Sequence, residues 1–259
     1  MIKYVLIFCF SLVVFSFTNK PKKFIPPGTV QITETLYADE TEISNLSWLE
    51  FEFWTAMKYG KNSKEHLETL PDTMVWLEKL YYNEPYVNYY YRHVAYKDYP
   101  VVGISYEQAL AFCKWRTERV KEFYSIRYKK ELHLEYRLPT KQEWEFLSNN
   151  GAGIFSNNGK NEKGQYKLNI VRLYSDSSLK SKFIRDADIT APVFSFWKNQ
   201  FGLYNMFGNV SEMILEKGIS KGGGWIHRLE NCRSGKDIVY DKPTSWLGFR
   251  CVCELKKEN

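Results

Sequence analysis

A chain of 259 residues is long enough to bury one large core, and an aromatic content of 17% supplies large rings to fill it. The formal net charge of +6 comes from lysines and arginines spread along the sequence, without a basic block interleaved with aromatic residues. This distribution argues against a nucleic-acid-binding protein. Neither a strong linker nor an internal repeat divides the chain, so we expect a single domain.

The N-terminus has the pattern of a secretory signal. Lys3 precedes an apolar run from Tyr4 to Phe17, and a polar segment with three lysines follows. The run is shorter than the ~20 residues that a membrane-spanning helix needs. We therefore predict a signal peptide or N-terminal anchor over residues 1–20, a domain over residues 21–259, and export to the periplasm or cell envelope. Membrane contact is expected only through an uncleaved leader.

The first predicted elements of the domain are a strand and a helix. Residues 29–37 alternate in a strand-like way. Ser47 and Glu50 have the spacing of a capping box, which predicts that a helix begins there. Three apolar residues recur at helical spacing around this cap: Leu46, Leu49 and Phe53.

Two later segments are predicted as capped helices. Residues 105–108 read Ser-Tyr-Glu-Gln, a capping box, and predict a helix that runs to about Tyr128. Thr140 with Glu143 caps a second helix, from Lys141 to about Asn149. The polar residues 150–185, with Asn-Gly turn signals, are expected to form an irregular insertion.

Six tyrosines lie between residues 81 and 91. Such a cluster can stack on sugars, but no pattern of Arg or Asn accompanies it. Packing and loop anchoring are therefore the favoured interpretation, with glycan binding as an alternative.

One loop carries a set of oxygen donors. Asn205, Gly208, Val210 and Glu212 stand at offsets of 0, 3, 5 and 7 and combine a side-chain amide, two backbone carbonyls and a carboxylate. Such a hard-oxygen set suits Ca²⁺. The alternative is an Asn-Gly-Asn loop whose amides cap a turn, with Glu212 solvated.

Other catalytic patterns are not found in the sequence. The four histidines form no HExxH arrangement, no Gly-x-Ser-x-Gly is present, and no glycine loop suits a phosphate. Residues 222–224, three glycines, are expected to make a tight turn that lets a core strand approach its neighbours. Arg137 and Arg250 are expected to pair with carboxylates such as Glu42 or Glu143.

Four motifs carry a family resemblance, and they occupy residues 136–145, 202–212, 221–225 and 247–251. Together they resemble the formylglycine-generating-enzyme family, also called sulfatase-modifying factor domains. The resemblance covers about residues 26–253 and implies a single α+β domain of irregular structure, related to C-type lectins. The amino-acid sequences around residues 99–105 and 113–120 are most similar to those of the gliding-motility and secretion-associated branch in Bacteroidetes.

The resemblance implies a structural calcium at the four oxygen-donor positions and a disulfide between Cys113 and Cys251. Cys251 and Cys253 are two residues apart and face the same side of a strand, so Cys253 could compete for the same partner. The sequence alone leaves the other pairings of the cysteines open.

The resemblance also identifies where the enzymes bind copper and carry out the oxidation. They have a pair of cysteines at the positions of His227 and Cys232, a serine at that of Gly224 and a tryptophan at that of Ser211. Only Cys232 is kept here. His227 and Cys232 stay as candidate catalytic or metal ligands, against the alternative of a surface histidine and a free or disulfide-bonded thiol. We do not expect copper.

These observations predict an exported, non-catalytic module that acts as a structural or interaction component of the cell envelope. Its expected partners are envelope proteins, in an oligomer or a secretion or gliding complex. The alternatives are a copper-dependent oxidase acting on protein cysteine or another thiol, and a glycan-binding module.

Overall fold

The computed structural model describes residues 24–77, 83–171 and 189–256. The leader predicted over residues 1–20 lies outside them, and no helix in the described part is long and apolar enough to cross a membrane. The described residues contain five α-helices: α1 Asn45–Tyr59, α2 Lys64–Leu67, α3 Glu84–Tyr89, α4 Tyr106–Tyr128 and α5 Lys141–Leu147. They contain eight short strands: β1 Thr29–Gln31, β2 Leu36–Asp39, β3 Leu134–Arg137, β4 Ser211–Met213, β5 Ile219–Lys221, β6 Ile238–Val239, β7 Leu247–Gly248 and β8 Val252–Leu255.

The strands form two four-stranded sheets. The first has the order β1-β2-β8-β3 and is antiparallel, with Cys253 of β8 opposite both Tyr37 and Tyr136. The second has the order β6-β5-β4-β7, and β4 pairs with β7 in parallel through Ser211 and Leu247. Short strands and helices linked by long irregular segments confirm the predicted α+β class.

The single strand predicted over residues 29–37 is wrong, because this segment is a hairpin. The backbone N–H groups of Ile32 and Thr33 donate to the carbonyl of Leu36 at 2.9 and 3.0 Å, which closes the turn. The side chain of Thr33 accepts from the N–H of Leu36 at 3.0 Å. A threonine at the turn thus stabilises a reversal that the alternation pattern does not reveal.

The predicted start and buried face of α1 are also wrong. Its N-cap is Ser44, whose side chain accepts from the N–H of Ser47 at 3.2 Å. Leu46 and Phe53 are 46% and 57% exposed. The helix buries a different stripe, which consists of Asn45, Trp48, Phe51, Glu52 and Thr55.

The capping boxes of α4 and α5 are confirmed. In each, the cap side chain accepts from the third helical N–H, and the side chain of Gln108 or Glu143 accepts from the cap N–H. α4 ends at Tyr128 as expected. α5 ends at Leu147, and residues 149–151 continue as a turn of 3-10 helix.

Three clusters of buried residues form the core. The largest lies between the first sheet and helices α1 and α4, where the rings of Trp48 and Phe112 stack at 5.4 Å. A second surrounds Trp144 and Phe207, whose rings meet edge to face at 5.8 Å. The third contains Trp76 and Trp225.

The tyrosine-rich segment packs into the third cluster. Tyr90 is buried with its ring 4.6 Å from that of Trp76, and Tyr86 meets the same tryptophan at 5.4 Å. Tyr91 is buried in the largest cluster, whereas Tyr89 is exposed. Tyr81 and Tyr82 lie outside the described residues. Packing therefore accounts for the three buried or half-buried rings.

The predicted insertion at residues 150–185 is described only up to Val171. That part consists of turns and short 3-10 segments, as the Asn-Gly signals predict.

Candidate functional site

A buried ion pair lies at the centre of the fold-defining motifs. Strand β4 carries Glu212 and the segment after β7 carries Arg250, and both side chains are almost completely buried. The Arg250 Nε donates to the two carboxylate oxygens at 2.9 and 2.8 Å, and one guanidinium NH2 donates at 2.5 Å. From α5, the Trp144 Nε1 donates to the same carboxylate at 2.7 Å. The pair links the second sheet, α5 and the C-terminal segment.

The predicted partner is correct for one of the two arginines. Arg137 binds Glu143 through two hydrogen bonds of 2.7 Å, as predicted. Arg250 binds Glu212 and not Glu42 or Glu143, because the parallel pairing of β4 with β7 sets these motifs side by side. Trp144 was not predicted as a donor, although it stands between two glutamates on a correctly predicted capped helix.

Glu42 is a second buried carboxyl beside this pair. It accepts hydrogen bonds from the side-chain amides of Asn205 and Asn209 at 3.1 and 2.9 Å. Burial raises the pKa of Glu42 to about 8, although the positive charge of Arg250 and the two amides partly oppose the rise. This carboxyl therefore binds a proton at neutral pH.

The loop of Asn205 and Asn209 is an amide-capped turn. Asn209 accepts from the N–H of Ala191 at 2.6 Å and donates to its carbonyl at 3.1 Å. Asn205 donates to the carbonyl of Val193 at 3.0 Å. Both asparagines have positive φ. The two side chains thus join Glu42 to the segment that contains Ala191 and Val193.

Glu212, the one carboxylate of the predicted calcium set, is already paired in this arrangement. Both carboxylate oxygens of Glu212 bind Arg250, and Asn205 directs its amide nitrogen to Glu42 and Val193. Arg250 already supplies the positive charge that balances Glu212. The alternative of a solvated Glu212 is wrong, since this side chain is buried.

Within the described ranges, no group of three or more His, Cys, Asp or Glu residues is placed to hold a metal ion. The calcium site therefore stays a prediction of the resemblance, and no function below depends on it.

Cys232 is a buried thiol held against the glycine turn. It ends a 3-10 turn, Leu229–Cys232, and its Sγ lies 3.4 Å from the carbonyl of Arg228. Gly223 has a φ of 67°, and a Cβ added there would lie 2.5 Å from the sulfur. The close approach confirms why glycine is needed in this turn. Burial raises the pKa of the Cys232 thiol to about 12, so it is protonated at neutral pH.

His227 is half-buried beside the same turn. Its Nδ1 accepts from the N–H of Gly224 at 2.9 Å, and its ring meets Trp246 edge to face at 4.8 Å. Burial lowers the pKa of His227 to about 4, so the ring is neutral at physiological pH. The interpretation of His227 as a surface residue is wrong. With Nδ1 occupied by the backbone, only Nε2 is left for any ligand.

These two residues do not fit the copper chemistry of a cysteine pair. Cu(I) selects soft thiolates. The two positions offer one thiol with a raised pKa and one imidazole nitrogen. The described residues add no third ligand to them. The arrangement suits packing beneath the glycine turn better than redox chemistry.

The predicted disulfide partners lie next to each other. Cys113 on α4 and Cys251 before β8 are buried thiols with their sulfur atoms 3.5 Å apart. Cys253 is a third buried thiol in the same core cluster. The bridge between Cys113 and Cys251 stays a prediction, and so does the competition from Cys253.

Two curated proteins are similar in sequence to part of this chain. The formylglycine-generating enzyme of Bos taurus is 28% identical over 187 residues, and the inactive C-alpha-formylglycine-generating enzyme 2 of the same species is 26% identical over 179 residues. The matched parts are 61% and 60% of this chain, but they span only about half the length of these curated relatives, 44% and 50%.

A solved structure shows the same fold. The crystal structure of CarF aligns with a TM-score of 0.52 at 17% sequence identity, over 88% of this chain and 96% of that one. At this identity the likeness concerns the fold alone. The family model described as "Sulfatase-modifying factor enzyme 1-like domain" matches residues 14–255. With its fold-defining motifs gathered around the Glu212–Arg250 pair, the chain belongs to the sulfatase-modifying factor enzyme 1-like domain family.

Proposed function

We propose that this protein is a non-catalytic member of the family and acts as a structural or interaction component of the cell envelope. The observation that carries the proposal is the state of the two positions where the enzymes have their cysteine pair. One position holds the neutral, half-buried His227, and the other holds the buried, protonated Cys232. A single inaccessible thiol is a poor nucleophile and a poor copper ligand.

Two neighbouring positions at which this chain differs from the enzymes are closely packed. Ser211, at the position of the enzymes' tryptophan, is buried, and its hydroxyl lies within hydrogen-bond distance of the Ser220 hydroxyl at 2.8 Å and of the Lys221 carbonyl at 3.0 Å. A Cβ on Gly224, at the position of the enzymes' serine, would lie 2.9 Å from the Trp246 carbonyl oxygen. A larger side chain at either position would have to displace these contacts, which supports a scaffold whose site has been lost.

The main alternative is a copper-dependent oxidase acting on protein cysteine or another thiol. The curated relatives include an active and an inactive enzyme at nearly equal identity, 28% and 26%, so similarity alone favours neither. The geometry at His227 and Cys232 favours the non-catalytic function.

The envelope placement is supported by the sequence of the N-terminus and by the resemblance to the gliding and secretion branch. Lys3 followed by the apolar run to Phe17 is typical of an exported protein. Partners in the envelope would recognise the surface of the fold, since the former site is filled by packing. An oligomer or a secretion or gliding complex is the assembly that we expect.

One experiment tests both parts of the proposal. The protein is purified from the envelope fraction of its native host, and its intact mass shows whether residues 1–20 have been removed. The same material is incubated with Cu(I), oxygen and a peptide that carries the Cys-x-Pro-x-Arg motif, beside the bovine formylglycine-generating enzyme as the active control. Mass spectrometry measures conversion of the peptide cysteine to formylglycine.

We expect recovery in the envelope fraction and no conversion. Conversion that is lost in Cys232→Ser would overturn the non-catalytic function and establish the oxidase. Recovery in the cytoplasmic fraction with an intact leader would overturn the envelope placement. His227→Cys is the informative variant, because it restores the pair; we expect it to stay inactive, since the positions of Gly224 and Ser211 are still changed.

A further inference from the structure

One face of the molecule combines exposed apolar side chains with basic ones. It is formed by the last turns of α4 and by the chain where it enters the fold. Phe123, Ile126 and Tyr128 are 63%, 64% and 55% exposed, and Ile25 is 57% exposed. We name it the α4 face and define it by these residues: Ile25, Arg119, Phe123, Ile126, Arg127, Tyr128, Lys129 and Lys130.

The helix geometry brings apolar and basic groups to the same side. Phe123, Ile126 and Arg127 are related by steps of three and four residues, which places them next to one another on a helix. Nearly every residue from 121 to 130 is exposed, so the end of α4 protrudes from the domain. A protruding helix end can reach a flat surface without rearrangement of the core.

The entering chain extends the α4 face. The ring of Phe24 meets that of Tyr124 edge to face at 5.0 Å. A shallow cavity of about 480 Å³ separates the two segments, and its lining includes Ile25, Phe123 and Tyr128. The first described residues therefore lie along α4 as part of one continuous surface.

The α4 face carries a net positive charge. Residues 119–130 contain five basic residues and one acidic residue, Glu122, which Arg119 pairs with at 2.5 Å, and Glu118 and Glu131 flank this segment. In the described part of the chain, no ion pair involves Arg127, Lys129 or Lys130. In the sequence, Lys20, Lys22 and Lys23 directly precede Phe24.

We propose that the α4 face docks on an anionic lipid surface, with its apolar side chains among the headgroups and its lysines and arginines against lipid phosphates. Aromatic and aliphatic side chains beside basic residues are the composition of interfacial helices, and anionic lipids attract such basic segments. Lipid is favoured over a protein partner because the chain that follows the apolar run from Tyr4 to Phe17 enters the fold at this face. The proposal goes beyond the proposed function and does not rest on the absence of oxidase activity.

The test uses the full chain with a reporter on the α4 face. In a Cys9→Ser background, the other four cysteines are buried, so an environment-sensitive dye can be attached selectively to Ile126→Cys. The matched label is Val239→Cys on β6, where the native side chain is 77% exposed. Each labelled protein is titrated with vesicles of phosphatidylcholine containing phosphatidylglycerol and with vesicles of phosphatidylcholine alone.

We expect a blue shift of the dye at residue 126, and none at residue 239, only with the anionic vesicles. Lys129→Glu/Lys130→Glu should weaken the apparent affinity about tenfold or more, since each basic residue near an anionic surface contributes a factor of about five in affinity. Lys236→Glu/Lys242→Glu makes the same charge change at exposed positions elsewhere and should have a small effect.

Three results would overturn the proposal. Equal shifts at both positions would mean that the protein meets lipid without directing the α4 face toward it. A shift that depends on protein concentration and not on lipid would assign this face to self-association. No shift with either vesicle would show that the surface does not meet lipid.

Discussion

At the scale of single residues, buried charges connect the elements of this fold. Arg250 and Glu212 are both removed from water, and each depends on the other for its stability there. Removing one partner of such a pair typically costs about 3 to 5 kcal/mol, because the other charge is left buried and unpaired. Glu42 is accommodated in the core in a different way. It has no direct ion pair among the described residues and is buried with a proton.

The protonation of Glu42 predicts a particular dependence of stability on pH. Its pKa in the fold, about 8, lies above the ordinary 4.5, so the folded protein keeps a proton that the unfolded chain loses. The resulting stability is complete below pH 4.5 and is lost as the pH rises through 8. His227 acts in the opposite sense, because its lowered pKa of about 4 gives stability that is complete only above its ordinary 6.5. Between pH 6.5 and 8 the free energy of unfolding therefore changes through Glu42 and not through His227.

In this window the free energy of unfolding should fall by on the order of 1 to 2 kcal/mol in the wild-type protein. Glu42→Gln imitates the protonated side chain and should remove most of that fall. Urea unfolding of both proteins at the two ends of the window measures the difference. Parallel losses in the two proteins would show that Glu42 is ionised in the fold.

At the scale of elements, side-chain caps decide where the helices begin. Thr140 accepts from the N–H of Glu143 at 3.2 Å, while Glu143 accepts from the N–H of Thr140 at 2.9 Å and also binds Arg137 of β3. The cap therefore does more than start α5. It fixes the direction in which this helix carries Trp144 to the carboxylate of Glu212.

We expect Thr140→Ala to destabilise the protein by about 1 to 2 kcal/mol, because a capping hydrogen bond is lost. In a domain of this size the melting temperature should fall by roughly 2 to 4 °C per kcal/mol. Ser125→Ala on α4 is the matched control: it is an exposed position inside a helix and should be neutral or slightly stabilising. An unchanged melting temperature for Thr140→Ala would mean that tertiary packing alone positions α5.

Local signals predicted α4 and α5 because both caps are complete within four residues of sequence. They failed at α1, where Ser44 and Ser47 are both acceptable caps. The choice of Ser44 depends on a bridge to Pro100, a residue far away in the chain. The hairpin at residues 29–39 was missed for a similar reason, since its second strand is fixed by pairing with β8.

Several residues of the candidate site were predictable from the sequence, but the contacts between them were not. The motifs identified Arg250 as the partner of a carboxylate and Asn205 and Glu212 as calcium donors, but they gave neither the Glu212–Arg250 contact nor the place of Glu42 beside the two asparagines. These contacts join residues 38 to 167 positions apart. Their geometry follows from the sheet order, which no local pattern encodes.

At the scale of the whole molecule, the two ends of the domain are held together in one sheet. β8 lies between β2 and β3, so the C-terminal segment pairs with strands from the start and the middle of the chain. Arg116 on α4 adds a tie to this sheet through Asp39 at 2.8 Å, and its guanidinium lies over the ring of Tyr136. Folding therefore requires contacts of high sequence separation, which are slow to form.

The predicted disulfide between Cys113 and Cys251 would cross-link two parts of the chain that are distant in sequence and meet in the fold. The residues are 138 positions apart, and their sulfur atoms lie at 3.5 Å in the thiol form. Cross-linking a loop of this length restricts the unfolded chain, and disulfides typically contribute about 2 to 4 kcal/mol. Protein isolated from an oxidising compartment should therefore unfold at higher urea concentration than the same protein after reduction, while Cys113→Ser should show no such difference.

Peptide mapping under non-reducing conditions identifies the partner directly. A peptide pair containing Cys113 and Cys251 is the expected product, and Cys253→Ser should leave both that pair and the response to reduction unchanged. A pair containing Cys113 and Cys253 would contradict the prediction. The contact between the sulfur atoms of Cys113 and Cys251 in the fold, and not the spacing of the cysteines along the chain, is thus what favours Cys251 as the partner.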